Sequence, residues 1–182
     1  MLKLATALMS AAVIWGGSAP AIVAASAPSP TDTCNNPPAE LLAAIEPGWS
    51  LLRLSDLNTD DQRLWLEVRP KSCPGYAAAR MRTGSGPSYI VALIDKRTAK
   101  PREQVLLLVP HGKSFVRLTL AKPTEVANPA VVWRGPPGKY HEWDGSRSIA
   151  IRNDSVVLET MEASAVLYYF ARGRLQTLTT SD

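Results

Sequence analysis

Histidine and cysteine are scarce in this chain, with two of each in 182 residues. That scarcity removes whole classes of chemistry. His111 and His141 are far apart in sequence, so no His-x-x-x-His zinc helix exists, and no Cys/His group has ligand spacing. Cys34 and Cys73 lack the Cys-x-x-Cys spacing of a redox dithiol. A phosphate-binding glycine loop is missing. So is the Gly-x-Ser-x-Gly elbow, because Gly84-Ser85-Gly86 falls in a predicted hairpin turn rather than between strand and helix. Glu159 and Glu162 form no acid/base pair, since their odd spacing on a strand sends them to opposite faces. No metal and no cofactor is expected. The residues favour a protein without catalytic machinery, and leave open only a site assembled from distant residues.

Long apolar runs are also lacking. Leu4 to Trp15 is apolar apart from Thr6 and Ser10, which is short of the roughly 20 residues that span a bilayer. Lys3 precedes it and Val23-Ala24-Ala25 follows, the small-x-small pattern of a signal-peptidase site. Cleavage is expected after Ala25, with Ala27 as second choice; the competing reading is an uncleaved anchor. No cysteine closes the apolar run, which argues against a lipid-anchored form. The expected organisation is a signal peptide over 1–25, a disordered Ser/Pro/Ala-rich leader over 26–35, and one domain over 36–182. The exported form would be periplasmic or secreted and have no membrane span. A cysteine pair in such a chain is read as a Cys34–Cys73 disulfide. Closing so long a loop contributes about 3–4 kcal/mol.

The net charge of +4 is mild. It suits a protein near anionic surfaces and does not argue for nucleic acid, which demands a concentrated basic stripe. Lys96, Arg97, Lys100 and Arg102 cluster locally, but around a Thr-Ala-Lys-Pro turn, and read as a solvated loop.

What the chain does have is strands. After a short helix capped by Asn36 (Leu41, Leu42 and Ile45 its apolar face), Trp49 to Leu54 alternates loosely. Tyr76–Met81 pairs with Tyr89–Asp95, and Glu103–Val109 with Ser114–Leu120; the run Val105–Val109 is apolar throughout and predicts a central strand covered on both faces. Ala130–Arg134 is a further strand. Ser148–Ile151, Val156–Met161, Ala165–Phe170 and Leu175–Thr179 then read as a meander with turns at Asn153-Asp154 and Arg172-Gly173. The fold class is α+β: a single antiparallel β-rich domain with one or two short N-terminal helices.

Asp56, Asn58, Asp60 and Glu67 occupy oxygen-ligand positions of a calcium loop, but Asp61 stands where that loop needs Gly and Arg63 where it needs an apolar residue. The segment works better as a helix start, with Thr59 and Gln62 as a capping box and Pro70 as the stop.

The most suggestive stretch is Trp133 to Gly145, which joins aromatics, both charge signs and stiffening prolines. Trp, Tyr and Arg dominate interface energetics, and a rigid loop loses little entropy on binding. Trp133, Tyr140, His141 and Trp143 are the candidate binding residues. The bland alternative turns Trp133 and Trp143 inward to pin the loop; sugar stacking is a third view.

Cys73-Pro74-Gly75, Pro136-Pro137-Gly138-Lys139-Tyr140, Ser164 to Phe170, Arg172-Gly173-Arg174 and Ser181-Asp182 resemble small exported bacterial proteins of uncharacterised function, some of them similar to degenerate FG-GAP/VCBS repeats. The resemblance implies an exported β-rich body with no established activity. Where such repeats carry an Asp- and Gly-rich calcium run, this chain has Tyr76 to Arg80. The function expected is an exported non-catalytic binding protein whose partner is another protein, of inhibitor or immunity type against an envelope enzyme. The alternatives are an envelope hydrolase involving His141 and a calcium-stabilised structural module.

Overall fold

The computed structural model describes Cys34 and residues 36–180. The expected signal peptide, most of the leader and the terminal Ser181-Asp182 lie outside the described residues. No helix among the described residues is long and apolar enough to cross a membrane.

The first sheet is built on two apolar strands. β3 (Ser88–Asp95) is buried along its whole length, and β4 (Arg102–His111) from Glu103 to Val109. They pair antiparallel from Tyr89↔Leu108 to Asp95↔Arg102. Aliphatic side chains on both faces require cover on both faces, which a central position supplies. β1 (Ser50–Leu51) and β2 (Tyr76–Ala79) share the other edge of β3, while β5 (Ser114–Glu125) flanks β4. β5 runs five residues past the expected end. Its Lys122 and Pro123 look turn-like in sequence, yet an edge strand tolerates both and is shielded by them.

The second sheet has the order β11-β10-β9-β6. β9 (Ser155–Thr160), β10 (Ser164–Ala171) and β11 (Arg174–Thr180) follow one another as hairpins, and β6 (Val131–Gly135) takes the free edge of β9. One expectation needs correction here. β8 (Ser148–Ile151) does not continue the meander. It pairs with β7 (Gly138–His141), so the Pro- and Gly-rich stretch after β6 contains a strand rather than only a loop.

Both sheets are antiparallel and they share a core. Ile90, Ala92 and Ile94 of β3, Val105, Leu107 and Val109 of β4, and Val132 and Val156 of the second sheet pack together with Trp65. The odd-numbered residues Tyr89, Val91 and Leu93 face the other way, against Leu41. Beyond the second sheet, Val157, Leu167 and Leu178 are covered by Ile151 and, in part, Tyr140 and Ile149 of the β7–β8 hairpin.

Two helical caps differ from expectation. α1 (Ala39–Ala43) starts after Pro38, and Asn36 adopts φ 66° outside it. Five residues present a single side to the sheet, so Leu41 is buried while Leu42 is 50% exposed. α2 (Thr59–Val68) is capped by Asn58, not Thr59: Asn58 Oδ1 accepts from the Asp61 N–H at 2.9 Å. Asn58 Nδ2 reaches the Asp61 carboxylate, and Gln62 turns back to the Leu57 carbonyl. The box is displaced by one residue because Asn, whose carbonyl reaches the N3 amide, is the stronger cap.

Cys34 and Cys73 form the disulfide. Just after it the chain passes hard against Leu52: a Cβ on Gly75 would lie 2.1 Å from the Leu52 carbonyl oxygen. Glycine alone permits that approach, and through it Gly75 O accepts the Ala92 N–H at 2.9 Å.

Candidate functional site

The four candidate residues between β6 and β8 do not converge. Trp133, on β6, is half-buried; its indole N–H donates to Glu159 Oε2 at 2.6 Å, and the Arg69 guanidinium lies 4.0 Å over its ring. Tyr140, on β7, packs on the outer core of the second sheet, and its hydroxyl donates to the Pro136 carbonyl at 2.5 Å. Burial is the chief cause raising the Tyr140 pKa. His141 is exposed, across from Ser148. Trp143 is the outlier, 66% exposed on the loop that joins β7 to β8. The inward turn considered for both tryptophans therefore holds for Trp133 and fails for Trp143.

That loop is fastened at several points. The Trp143 N–H donates to the Thr179 carbonyl of edge strand β11 at 3.1 Å, and Arg147 Nη2 to the Thr177 carbonyl at 3.1 Å. Within the loop, the Glu142 N–H bonds Arg147 O, the Gly145 N–H bonds Glu142 O, and Glu142 and Arg147 form an ion pair at 3.3 Å. The Ser146 hydroxyl and N–H hold the Asp144 carboxyl below the usual range. The loop thus occupies the outer edge of β11, where open backbone groups invite pairing, and holds a large aromatic out in water.

Sequence reasoning missed a second assembly. Arg69, just past α2, lies between Trp65 and Trp133 and pairs with Glu159 at 3.4 Å. Glu159 is only 3% exposed. Arg69, Lys71, Trp133 and Arg134 border a cleft of about 350 Å³ beside this assembly. The available signal was Glu159 itself, a carboxylate inside an apolar strand pattern, which requires a cation and hydrogen-bond donors. Glu162, once weighed as its partner, sits exposed in the next turn at φ 58°.

His111 is exposed at the end of β4, as His141 is on β7. Three of the four calcium-loop residues make other contacts, and the fourth, Asp60, is exposed in the first turn of α2. Asp56 caps the Arg53 N–H and pairs with Lys96, Asn58 caps α2, and Glu67 pairs with Arg63 at 3.6 Å. No group of three potential metal ligands occurs among the described residues. No protein-family model matches this chain, and neither a curated protein nor a solved structure matches it.

Proposed function

We propose that this chain is an exported, non-catalytic binding protein that recognises another protein through the loop bearing Trp143, in the manner of an inhibitor or immunity protein. The observation that carries this reading is the pairing of an exposed tryptophan with a loop already tied to β11. Tryptophan is the residue type richest in binding hot spots, and an ordered loop loses little entropy on docking. On this reading the α+β body is a scaffold, and the Cys34–Cys73 bond is compatible with an oxidising compartment outside the cytoplasm.

The test is affinity capture from the cell envelope with wild type and Trp143→Ala side by side, followed by titration of the purified partner. A hot-spot tryptophan is worth about 2 kcal/mol or more, so the variant should bind roughly 30-fold more weakly. Its circular dichroism should match wild type, since the side chain removed is mostly in water. Equal capture by both proteins would refute the site.

A further inference from the structure

We propose that the arginine-bearing end of the second sheet docks on the phosphate headgroups of an anionic bilayer surface. Six exposed arginines meet at this end: Arg80, Arg82, Arg134, Arg152, Arg172 and Arg174. They come from four separate segments, and the structure fastens those segments together. Arg82 Nη2 donates to the Gly173 carbonyl at 3.2 Å, in the β10–β11 turn. Asn153, before β9, donates to the Met81 carbonyl at 3.4 Å. The Asp154 N–H donates to the Arg80 carbonyl at 3.2 Å, and its carboxylate accepts the Arg80 N–H at 2.8 Å and pairs with Arg134 at 3.1 Å.

The charge here is uncompensated. Asp154 is the only acid in the segments 80–87, 134–138, 152–155 and 171–174. Six guanidinium groups against one carboxylate exceed the +4 net charge of the entire chain. The cluster visible in sequence behaves differently: Lys96, Arg97 and Lys100 pair with Asp56, Asp95 and Glu125.

Several features select the occupant. All six cations are arginines, whose planar forks match phosphate oxygens bidentately. They sit at one end of the sheet, Arg80, Arg82, Arg152 and Arg172 between strands, Arg134 next to the last residue of β6 and Arg174 at the first of β11. The Arg82 guanidinium lies 4.3 Å over the Phe170 ring and takes that face out of play for stacking a nucleobase, while Tyr169 borders a cleft with Arg172 and Arg174. The exposed large apolar side chains Leu42, Val68, Val116 and Trp143 all lie in other segments, so nothing at this tip inserts among acyl chains. Attachment is electrostatic, reversible and salt-labile, as for a polybasic segment held at an anionic leaflet.

The test sediments the full chain with phosphatidylglycerol-containing vesicles and with neutral phosphatidylcholine vesicles. The neutral arm measures any contribution of the apolar N-terminal run. A charge-removal variant, Arg152→Gln/Arg172→Gln/Arg174→Gln, is compared with a control of equal charge, Lys100→Gln/Lys113→Gln/Lys122→Gln. Each basic group near such a surface is worth about fivefold in affinity, so the arginine variant should bind anionic vesicles about 100-fold more weakly. The control should bind like wild type, and about 0.5 M salt should release the protein. Equal binding to both vesicle types overturns the inference, as does a control that loses as much as the arginine variant. So does tighter binding to a single-stranded oligonucleotide, which would assign the tip to nucleic acid, or specific displacement by inorganic phosphate, which would assign it to a small anion.

Discussion

Glu103 is expected to make this protein's stability fall as pH rises. It is buried on β4, 6% exposed, between Ile94 of β3 and Thr124 of β5 in register. Its carboxylate accepts the Ala130 N–H, but Oε1 is buried with no hydrogen-bond partner. Loss of hydration outweighs that one bond and pushes the pKa from the usual 4.5 to about 7. The folded pKa lies above the unfolded one, so the protonated form favours the fold. Its contribution is complete below about pH 4.5 and is lost as pH climbs through 7. Two and a half units correspond to about 3 kcal/mol, of which about 2.5 kcal/mol is lost between roughly pH 5 and pH 8. Other shifted groups act outside this window. Asp95 is lowered to about 2, chiefly by its bond to Arg97, and Asp144 is lowered too, while Tyr89, Tyr140 and Tyr168 are raised from an already alkaline value. Urea denaturation followed by circular dichroism at the two pH values reads the difference directly. Glu103→Gln keeps an acceptor for Ala130 and cannot ionise. It should flatten the profile and exceed wild type by about 2 kcal/mol at the higher pH. A wild type equally stable at both pH values, or more stable at the higher one, would refute the reasoning.

Two further substitutions probe the packing. Gly75→Ala places a methyl 2.1 Å from backbone rather than from a movable side chain, so β1 and β2 must separate; a loss of about 3 kcal/mol or failure to fold is expected on denaturation, and near-wild-type stability would mean the strands yield. Glu159→Ala leaves the half-buried Arg69 and the Trp133 N–H without that carboxylate and should cost about 3–5 kcal/mol, whereas the double change Arg69→Met/Glu159→Leu should recover most of it; equal losses in both proteins would show that the ion pair is not the cause.

Much of the sheet was legible because its signals are local. Val105 to Val109 reads as a doubly covered strand, and Leu107 and Leu108 do face opposite cores. Arg172-Gly173 reads as a hairpin turn, and both residues have positive φ. What failed was non-local. Ser148–Ile151 carries the same β pattern whether its neighbour is β9 or β7, and nothing in that pattern names the partner. Trp133 and Trp143 are the same residue type in one stretch, yet Glu159 and Arg69 draw one inward from distant parts of the chain. The arginine tip shows the same limit. Sequence displays Arg80-Met81-Arg82 and Arg172-Gly173-Arg174 as two unremarkable doublets. Only the turn geometry joins them and leaves Asp154 as the lone acid.

The two proposed surfaces lie toward opposite ends of one strand. The loop of Trp143 is bonded to Thr179 of β11, and the arginine tip begins at Arg174, five residues back along that strand. At about 3.4 Å per residue the backbone separation is about 17 Å. That is about twice the screening length of roughly 8 Å at physiological salt, so charge removed from the tip is barely felt at the loop. Neither surface shares a partner group with the other: Arg147 and Glu142 secure the loop, while Asp154 and the Gly173 carbonyl secure the tip. Substitutions that far apart act additively. If both proposals hold, a bilayer docked at one end leaves Trp143 free to engage a protein at the other, and confining both to a surface would raise their encounter rate by effective concentration without any new contact.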